Sequence, residues 1–232
     1  MTLITLTDLA TKSFHLGHNL EKWNPKTNKF IYKIVNKTCV IDIIQTQQYL
    51  SKAYSYFYIA GQYKHNILFI GSTSIGANLI KQAAQISANY YYNSSWIAGT
   101  LTNWKMIQSR LILLLWVSKL LHLLKTSPYT FKVSFNTYST FYKIYKKLSV
   151  KLSGLIGLIE IPDILFILDP KYEKIAFNEA LKLNKIIISI VDSNINPDNI
   201  SIPIPGNDDN FKVLELTLKL LVAGYVHGAY YN

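Results

Sequence analysis

Short apolar runs alternate with longer stretches of helical periodicity along most of the chain. The runs are rich in Ile, Leu, Phe and Val, and they cover residues 67–70, 164–168 and 186–191. Stretches with helical spacing cover residues 45–63, 74–88, 172–183 and about 208–226. Strands that are apolar throughout are typical of a sheet covered on both faces, and their alternation with helices predicts an α/β fold with a parallel sheet.

Turn and cap residues mark the ends of several predicted elements. Two short apolar runs flank Asn36 and Lys37, which predicts a β-hairpin at that point. Asp208 and Asp209 stand where the last helix should begin, and Ser74 stands at the start of an earlier one. Because short polar side chains accept hydrogen bonds from the first turn of a helix, we expect these residues to be N-caps.

The region 105–153 has a different pattern, with apolar residues spaced three and four apart on both sides of a break at residues 126–128. The positions of this seam are Leu114, Val117, Leu121, Leu124, Tyr138, Phe141, Tyr145, Leu148 and Leu152. Four basic residues lie off the seam: Lys143, Lys146, Lys147 and Lys151. The pattern predicts an antiparallel helical hairpin inserted into a single α/β domain that residues 1–104 and 154–232 form.

The longest uninterrupted apolar run, residues 111–117, bears on membrane binding. It is shorter than the roughly 18 apolar residues that a membrane-spanning helix needs, so we predict no membrane insertion. A helix that lies on a membrane surface stays open as an alternative, because this run is apolar on all sides.

Composition and charge limit the classes of protein to which the chain can belong. It has 232 residues, half of them apolar, which is enough for one large folded domain, and its single cysteine, Cys39, excludes an intramolecular disulfide framework. Residues 1–159 hold 18 basic and three acidic side chains, a net charge of +15, whereas residues 160–232 hold six and ten, a net charge of −4. This asymmetry predicts either a polyanionic partner or a solvated lysine surface.

Two candidate sites for small ligands lack essential residues. Residues 71–76 read GSTSIG after a strand, as a phosphate loop would, but Ala77 and Asn78 follow where such a loop carries Lys and Ser or Thr. His15 and His18 lie three residues apart without the further ligands that complete a metal set. We therefore predict no cofactor and no metal.

Four aspartates are the basis of an alternative function. Asp163, Asp169, Asp192 and Asp198 fall at predicted strand ends, where α/β enzymes place their sites. They indicate a nucleotide- or metal-dependent enzyme, or else ordinary turns and caps.

Two further segments, residues 15–26 and 96–105, combine Trp with Lys, Asn, Thr or His. Such side chains suit contacts with RNA backbone and bases, and they suit a loop packed on its own sheet equally well.

These segments resemble the small-subunit ribosomal protein two family (uS2-type) of bacterial and organellar ribosomes. The resemblance rests on motifs in the same order: HLGH (15–18), KWNPK (22–26), ILFIG (67–71), WIAGTLTN (96–103), VDSNINPD (191–198) and IPIPGNDD (202–209). Three positions depart from the family pattern, which has Arg at Ser95, Gly at Ala98 and Met at Thr27. The region of the hairpin is rich in Leu and Tyr where the family has Glu and Lys.

The resemblance implies a Rossmann-like (flavodoxin-like) three-layer α/β/α domain with an inserted helical hairpin, and a structural role rather than an enzymatic one. Its expected partners are small-subunit ribosomal RNA and neighbouring ribosomal proteins, one of which covers the apolar hairpin. Ile, Asn, Lys and Tyr are abundant in the chain and have A/T-rich codons, which indicates an organellar genome. We therefore expect a mitochondrial ribosome, with a plastid ribosome as the alternative. The expected RNA-binding residues are His15, His18, Lys22, Trp23, Asn24, Lys26, Lys29, Trp96, Thr100, Thr102 and Asn103, with the four hairpin lysines as weaker candidates.

Overall fold

The central element of the computed structural model, which describes residues 4–126 and 135–231, is a parallel five-stranded sheet. Its strands are β4 (Ile67–Ile70), β5 (Tyr90–Tyr92), β6 (Ile164–Ile167), β7 (Ile186–Val191) and β8 (Ile202–Pro205). Their spatial order is β5-β4-β6-β7-β8. This is the flavodoxin order, with the chain reversing direction across the sheet between β4 and β6, and it confirms the predicted fold class.

Helices cover both faces of this sheet because successive residues of each strand point to opposite sides. In β4, Ile67 and Phe69 join a core with one set of helices, whereas Leu68 and Ile70 join a second core on the other face. The first set is α1 (Leu6–Thr11), α2 (Ile43–Gln62), α3 (Ala77–Ile86) and α7 (Phe211–Tyr230). The second is α4 (Trp104–Thr126), α5 (Phe135–Leu152) and α6 (Lys174–Lys182). Three layers result, as predicted.

A small antiparallel sheet lies beside the domain and carries the first motif of the chain. Its strands β1 (Leu16–Asn19), β2 (Ile31–Val35) and β3 (Thr38–Ile41) have the order β1-β3-β2. The predicted hairpin joins β2 to β3 through Asn36 and Lys37, whose φ angles of 48° and 62° suit a tight two-residue turn. Two short 3₁₀ helices, Leu20–Lys22 and Pro25–Phe30, connect β1 to β2.

The helices α4 and α5 run antiparallel to each other. Trp116 and Phe141 have ring centroids 6.2 Å apart, while Trp104 and Gln108, at the start of α4, both donate to the Ile159 carbonyl beyond α5. Leu114, Val117 and Leu152 of the seam are buried, the other seam residues are half-buried apart from the exposed Tyr138, and the four lysines are exposed. That these helices form an insert separate from the domain stays a prediction.

By length and composition alone, α4 is long and apolar enough to cross a membrane. This was not predicted from the sequence, because only uninterrupted apolar residues were counted. One side of this helix, with Ile107, Leu111, Leu114 and Val117, is buried against the domain.

The predicted helix caps are wrong. Helix α3 begins at Ala77, and Thr73 rather than Ser74 accepts a hydrogen bond near its start, from the Gly76 N–H at 3.2 Å. Helix α7 begins at Phe211 with Asn210 as its N-cap. Asp209 does not cap this helix, and its carboxylate lies against His18 instead.

Candidate nucleic-acid interface

The segment 15–29, here called the N-terminal segment, lies across the residues that follow β7. The N–H of His18 donates to Ser193 Oγ at 2.9 Å, and the N–H of Asn24 donates to the Ser193 carbonyl at 2.9 Å. Gly17 permits this approach, since a Cβ at that position would lie 3.0 Å from both Ser193 Oγ and the Cys39 carbonyl. The segment is therefore fixed on the carboxyl edge of the parallel sheet, where ligand sites of such sheets form.

The Trp-Asn-Pro part of the N-terminal segment builds its own turn. The Asn24 side chain accepts from the Lys26 N–H at 3.0 Å and caps the 3₁₀ helix that Pro25 begins. Buried Thr27 donates its hydroxyl to the carbonyls of Asn24, at 2.7 Å, and Ser193, at 3.0 Å. The side chains of Asn24 and Thr27 thus hold the backbone, and the turn presents the lysines on either side.

Three lysines of the N-terminal segment are exposed: Lys22, Lys26 and Lys29. Lys26 pairs with Asp198 in the loop between β7 and β8, and both groups are about half exposed. The Lys29 ammonium lies 5.0 Å from the centre of the Phe30 ring. No acidic side chain forms an ion pair with Lys22 or Lys29 within the described residues.

The rings of His15 and Trp23 are half-buried in this segment. Their buried His15 Nδ1 and Trp23 Nε1 atoms have no hydrogen-bond partner among the residues that the structure describes. Both rings contribute to packing of the segment.

His18 faces carboxylates. Its Nδ1 lies 3.1 Å from Asp192 Oδ2 and its Nε2 lies 3.4 Å from Asp209 Oδ2. The Asp192 carboxylate raises the pKa of His18 because it stabilises the protonated ring. Burial, and then the negative charges of Asp192, Asp169 and Asp209, raise the pKa of Asp208 to about 8.

The second predicted RNA segment, residues 96–105, ends with the exposed Lys105, and its first eight residues, 96–103, here called the central loop, enclose a buried carboxylate. Glu179 of α6, only 6% exposed, accepts hydrogen bonds from Trp96 Nε1 at 3.1 Å and from three backbone N–H groups. Those donors are Gly99 at 2.7 Å, Leu101 at 2.8 Å and Thr102 at 3.2 Å. One side chain from outside the loop thus accepts hydrogen bonds from four of its N–H groups, and the Tyr92 hydroxyl accepts one more, from the Ile97 N–H at 3.2 Å.

The remaining central-loop side chains differ in accessibility. The Trp96 ring centroid lies 4.6 Å from that of Tyr92, and Thr100 is fully buried with its hydroxyl donating to the Ile97 carbonyl at 2.6 Å. Thr102 and Asn103 are exposed. Two of the four predicted contacts in this loop are therefore packed against the protein, and two face solvent.

The place where a flavodoxin-like enzyme would bind a ligand, between the carboxyl ends of β4 and β6, holds a carboxylate of the chain itself. Glu173, 4% exposed, accepts from both the N–H and the hydroxyl of Ser72 at 2.6 Å. A phosphate at the GSTSIG turn would meet this negative charge. Asp169 accepts from the N–H groups of Lys171 and Tyr172, which makes it a turn residue.

The expectation that Asp163 lies with the other aspartates is wrong. It precedes β6, so it lies at the amino edge of the sheet and pairs with Lys185 at 2.6 Å. Sequence reasoning also missed Glu173 and Glu179. The available signal was helical spacing, which places Glu179 of α6 and Glu173, the residue before α6, on the same buried side as Ala176 and Ala180; it indicates burial but not which loop each acid contacts.

The fold and these contacts define an α/β protein whose buried acids hold its own loops and whose fixed N-terminal segment carries exposed lysines. The chain belongs to the ribosomal protein S2 family, whose model matches residues 9–228. It is 36% identical to the small ribosomal subunit protein uS2c of Emiliania huxleyi, over 98% of both chains. It is 35% identical to the small ribosomal subunit protein uS2c of Cyanophora paradoxa, over 99% of this chain and 97% of that one.

The family resemblance drawn from the motifs is thereby confirmed. The chain is a structural ribosomal protein and not an enzyme.

Proposed function

We propose that the chain is a component of the small subunit of a plastid ribosome and that its N-terminal segment binds ribosomal RNA. The observation that carries the RNA contact is the set of exposed lysines on a backbone that Ser193 holds in place. Because the backbone is already ordered, only the lysine side chains lose freedom when they meet phosphates, and phosphate contacts supply a large share of the affinity for a nucleic acid.

The assignment to a plastid departs from the mitochondrial ribosome that we expected from the sequence. Both relatives carry the suffix c, which marks plastid ribosomal proteins, and the similarity extends over nearly the whole of each chain. This supports the plastid alternative.

The experiment is to purify particles through a tag on this chain in vivo and sequence the RNA that they contain. We expect the small-subunit RNA of the plastid in amounts equal to the protein. Recovery of mitochondrial small-subunit RNA instead would restore the earlier expectation, and recovery of no ribosomal RNA would contradict the proposed function.

Within this function, the RNA contacts divide by accessibility. Lys22, Lys26 and Lys29 are proposed to bind phosphates, while Thr102 and Asn103 of the central loop add uncharged contacts. Trp96 and Thr100 are proposed to act by shaping the loop, as are Asn24, His15 and Trp23 in the N-terminal segment. His18 is not proposed to bind RNA, because its ring faces the carboxylates of Asp192 and Asp209.

The exposed side of α4 is proposed to bind a neighbouring protein of the same subunit. Ile112, Leu115 and Trp116 are at least half exposed, and Leu113 is 43% exposed. Clustered apolar side chains of this kind mark interaction surfaces. The partner is expected to present an apolar face, because the described residues of α4 offer only a few charged groups.

The test compares wild type with an Ile112→Asn, Leu115→Gln variant, in which both changed side chains are at least half exposed. Incorporation into small subunits should fall while the isolated variant keeps its unfolding midpoint. Unchanged incorporation, or loss only of binding to anionic lipid vesicles, would contradict the protein contact and favour the membrane-surface alternative.

A further inference from the structure

A groove of about 390 Å³ lies between helices α3 and α7, on the face of the sheet that α4 and α5 do not cover. Four residues of the core that these two helices share line its floor: Leu79, Ala83, Leu218 and Val222. Ile86 at the end of α3 is 69% exposed and Val226 of α7 is 39% exposed, so the apolar surface continues from the floor to solvent. Clustered apolar surface of this kind is stabilised when the apolar surface of a partner covers it.

The walls of the groove favour a helix over an extended peptide as the partner. Every described residue that lines the groove belongs to α3 or α7, whose backbone groups are bonded within the helices, so an added strand would find no backbone partner. Its own N–H and C=O groups would lie unpaired against an apolar floor, which is costly. A helix bonds its backbone internally and fills such a groove with apolar side chains spaced three and four apart. The groove follows α7 from Glu215 to His227, about 18 Å, which matches a partner helix of about three turns.

One end of the groove carries an excess of positive charge. Lys219 Nζ lies 2.7 Å from Glu215 Oε1, and this hydrogen bond, with the positive charges of Lys219 and Lys12, holds the pKa of Glu215 below its usual value. Of the described residues that line the groove, Glu215 is the one acid, so two lysines face a single carboxylate. At the other end, the Nδ1 atom of His227 lies 2.8 Å from the Tyr54 hydroxyl. Acidic side chains at the Lys219 end of a partner helix complement this distribution of charge, whereas RNA would lay its phosphates along the apolar floor.

We propose that the groove between α3 and α7 binds an amphipathic helix of a second small-subunit protein, with an apolar stripe along the floor and acidic side chains at the Lys219 end. This contact is separate from the one proposed for α4, because α4 packs on the opposite face of the sheet. The proposed contact requires that the chain is part of a small subunit. It depends neither on the plastid assignment nor on the RNA contacts of the N-terminal segment.

The test is photo-crosslinking in assembled small subunits, with a benzophenone amino acid in place of Ile86. Subunits that contain the tagged chain are purified and their RNA is verified before irradiation, so failure of incorporation is distinguished from an empty groove. We expect a crosslink to one protein, in a peptide whose apolar residues are spaced three and four apart and flanked by Asp or Glu. The control position is Ile59 of α2, which is also exposed and lies outside the groove, and it should not give this crosslink.

A charge reversal tests the expected acidic partner. With the photo-reactive group at position 86, Lys219→Glu should abolish most of the crosslink, and changing the acid of the crosslinked peptide to Lys should restore it. The control, Lys182→Glu, reverses an exposed lysine of α6 on the other face and should leave the crosslink unchanged. Thermal unfolding checks that both variants keep the fold.

Three results would overturn the proposal. They are the absence of any crosslink from position 86 in assembled subunits, a crosslink from this position to RNA or lipid instead of protein, and equal crosslinking in Lys219→Glu and Lys182→Glu.

Discussion

The N-terminal segment and the central loop both combine Trp, Asn and Thr, and these side chains are arranged in opposite ways in the two. In the central loop the backbone and Trp96 point inward to Glu179, so the polar groups bind the protein itself. In the N-terminal segment the backbone and Asn24 are satisfied by the turn and by Ser193, and the lysines are left outside. Motifs that share Trp, Asn and Thr therefore have different roles in the fold, and the N-terminal segment in addition carries exposed lysines, of which the central loop has none.

The difference shows that a motif of Trp, Asn and Thr stabilises the local fold before it contributes to any binding. Buried N–H and O–H groups must find acceptors, and these loops find them in Glu179 or in the Ser193 carbonyl. Affinity for RNA then depends on which charged side chains the fixed backbone exposes.

The largest expected effect comes from removing the charge that organises the central loop. Glu179→Gln keeps the shape but turns an amide nitrogen toward a set of N–H donors. Because hydrogen bonds to a buried charge are lost and donors are left unpaired, we expect the free energy of unfolding to fall by about 3 kcal/mol. Urea denaturation measures it.

The control for this variant is Glu160→Gln, the same chemical change at an exposed site. It should change the free energy of unfolding by less than about 0.5 kcal/mol. Equal effects of the two variants would show that the Glu179 contacts do not hold the central loop.

The next effect concerns the lysines of the N-terminal segment. Changing Lys22, Lys26 and Lys29 together to Gln should weaken binding to small-subunit RNA. If each lysine neutralises one phosphate, the slope of log affinity against log salt should become shallower by about 2 to 3. Filter binding between low and moderate salt measures this slope.

A matched triple variant on the acidic last third of the chain provides the control. Lys171, Lys174 and Lys182 are also exposed, and their change to Gln should leave the slope as in wild type. An equal change of this slope in both triple variants would mean that RNA affinity depends on net charge alone and not on the lysines of the N-terminal segment.

A smaller effect is expected from the threonine that anchors the N-terminal segment. Thr27→Val removes a buried hydroxyl that donates to two carbonyls, and we expect the free energy of unfolding to fall by about 1 kcal/mol. The same change at Thr102 removes only a hydroxyl that is 3.5 Å from Glu179, and it should have almost no effect. The reverse order in urea denaturation would contradict the anchoring role of Thr27.

The smallest effect concerns the pair between Lys26 and Asp198. Asp198→Asn frees Lys26 from a competing anion, so RNA binding should become about two- to fivefold tighter at low salt, in keeping with the small energy of an exposed ion pair. The gain should disappear at high salt, where exposed charges are screened. Weaker binding by this variant, measured beside Asp163→Asn, would mean that Asp198 itself supports the RNA contact.

Much of the fold was predictable because its signals are local. The runs that form β4 and β6 are apolar throughout and that of β7 is apolar except for Ser189, and a strand buried on both faces has that pattern whatever lies beside it. The turn at Asn36 and Lys37 was predictable for the same reason, because Asn adopts positive φ more readily than most residues. The start of α7 was not, because Asp208 and Asp209 are turned toward His18, which is distant in sequence.

The site was predictable only in part. The exposed lysines could be found from charge, since a lysine outside an apolar run is almost always at the surface. The anchoring roles of Ser193 and Glu179 could not be predicted, because the residues near them in sequence do not indicate which segment each one contacts. The same limit hid the meeting of His18 with Asp208 and Asp209, whose spacing depends on the whole sheet.

The most direct test of the central claim compares the two segments inside the assembled small subunit. An iron chelate that generates hydroxyl radicals is tethered to Lys22→Cys or to Thr102→Cys, and RNA cleavage is mapped; native Cys39 is buried and should not compete for the label. We expect strong cleavage of the small-subunit RNA from position 22 and weaker cleavage from position 102. Cleavage from position 102 with none from position 22 would contradict the account.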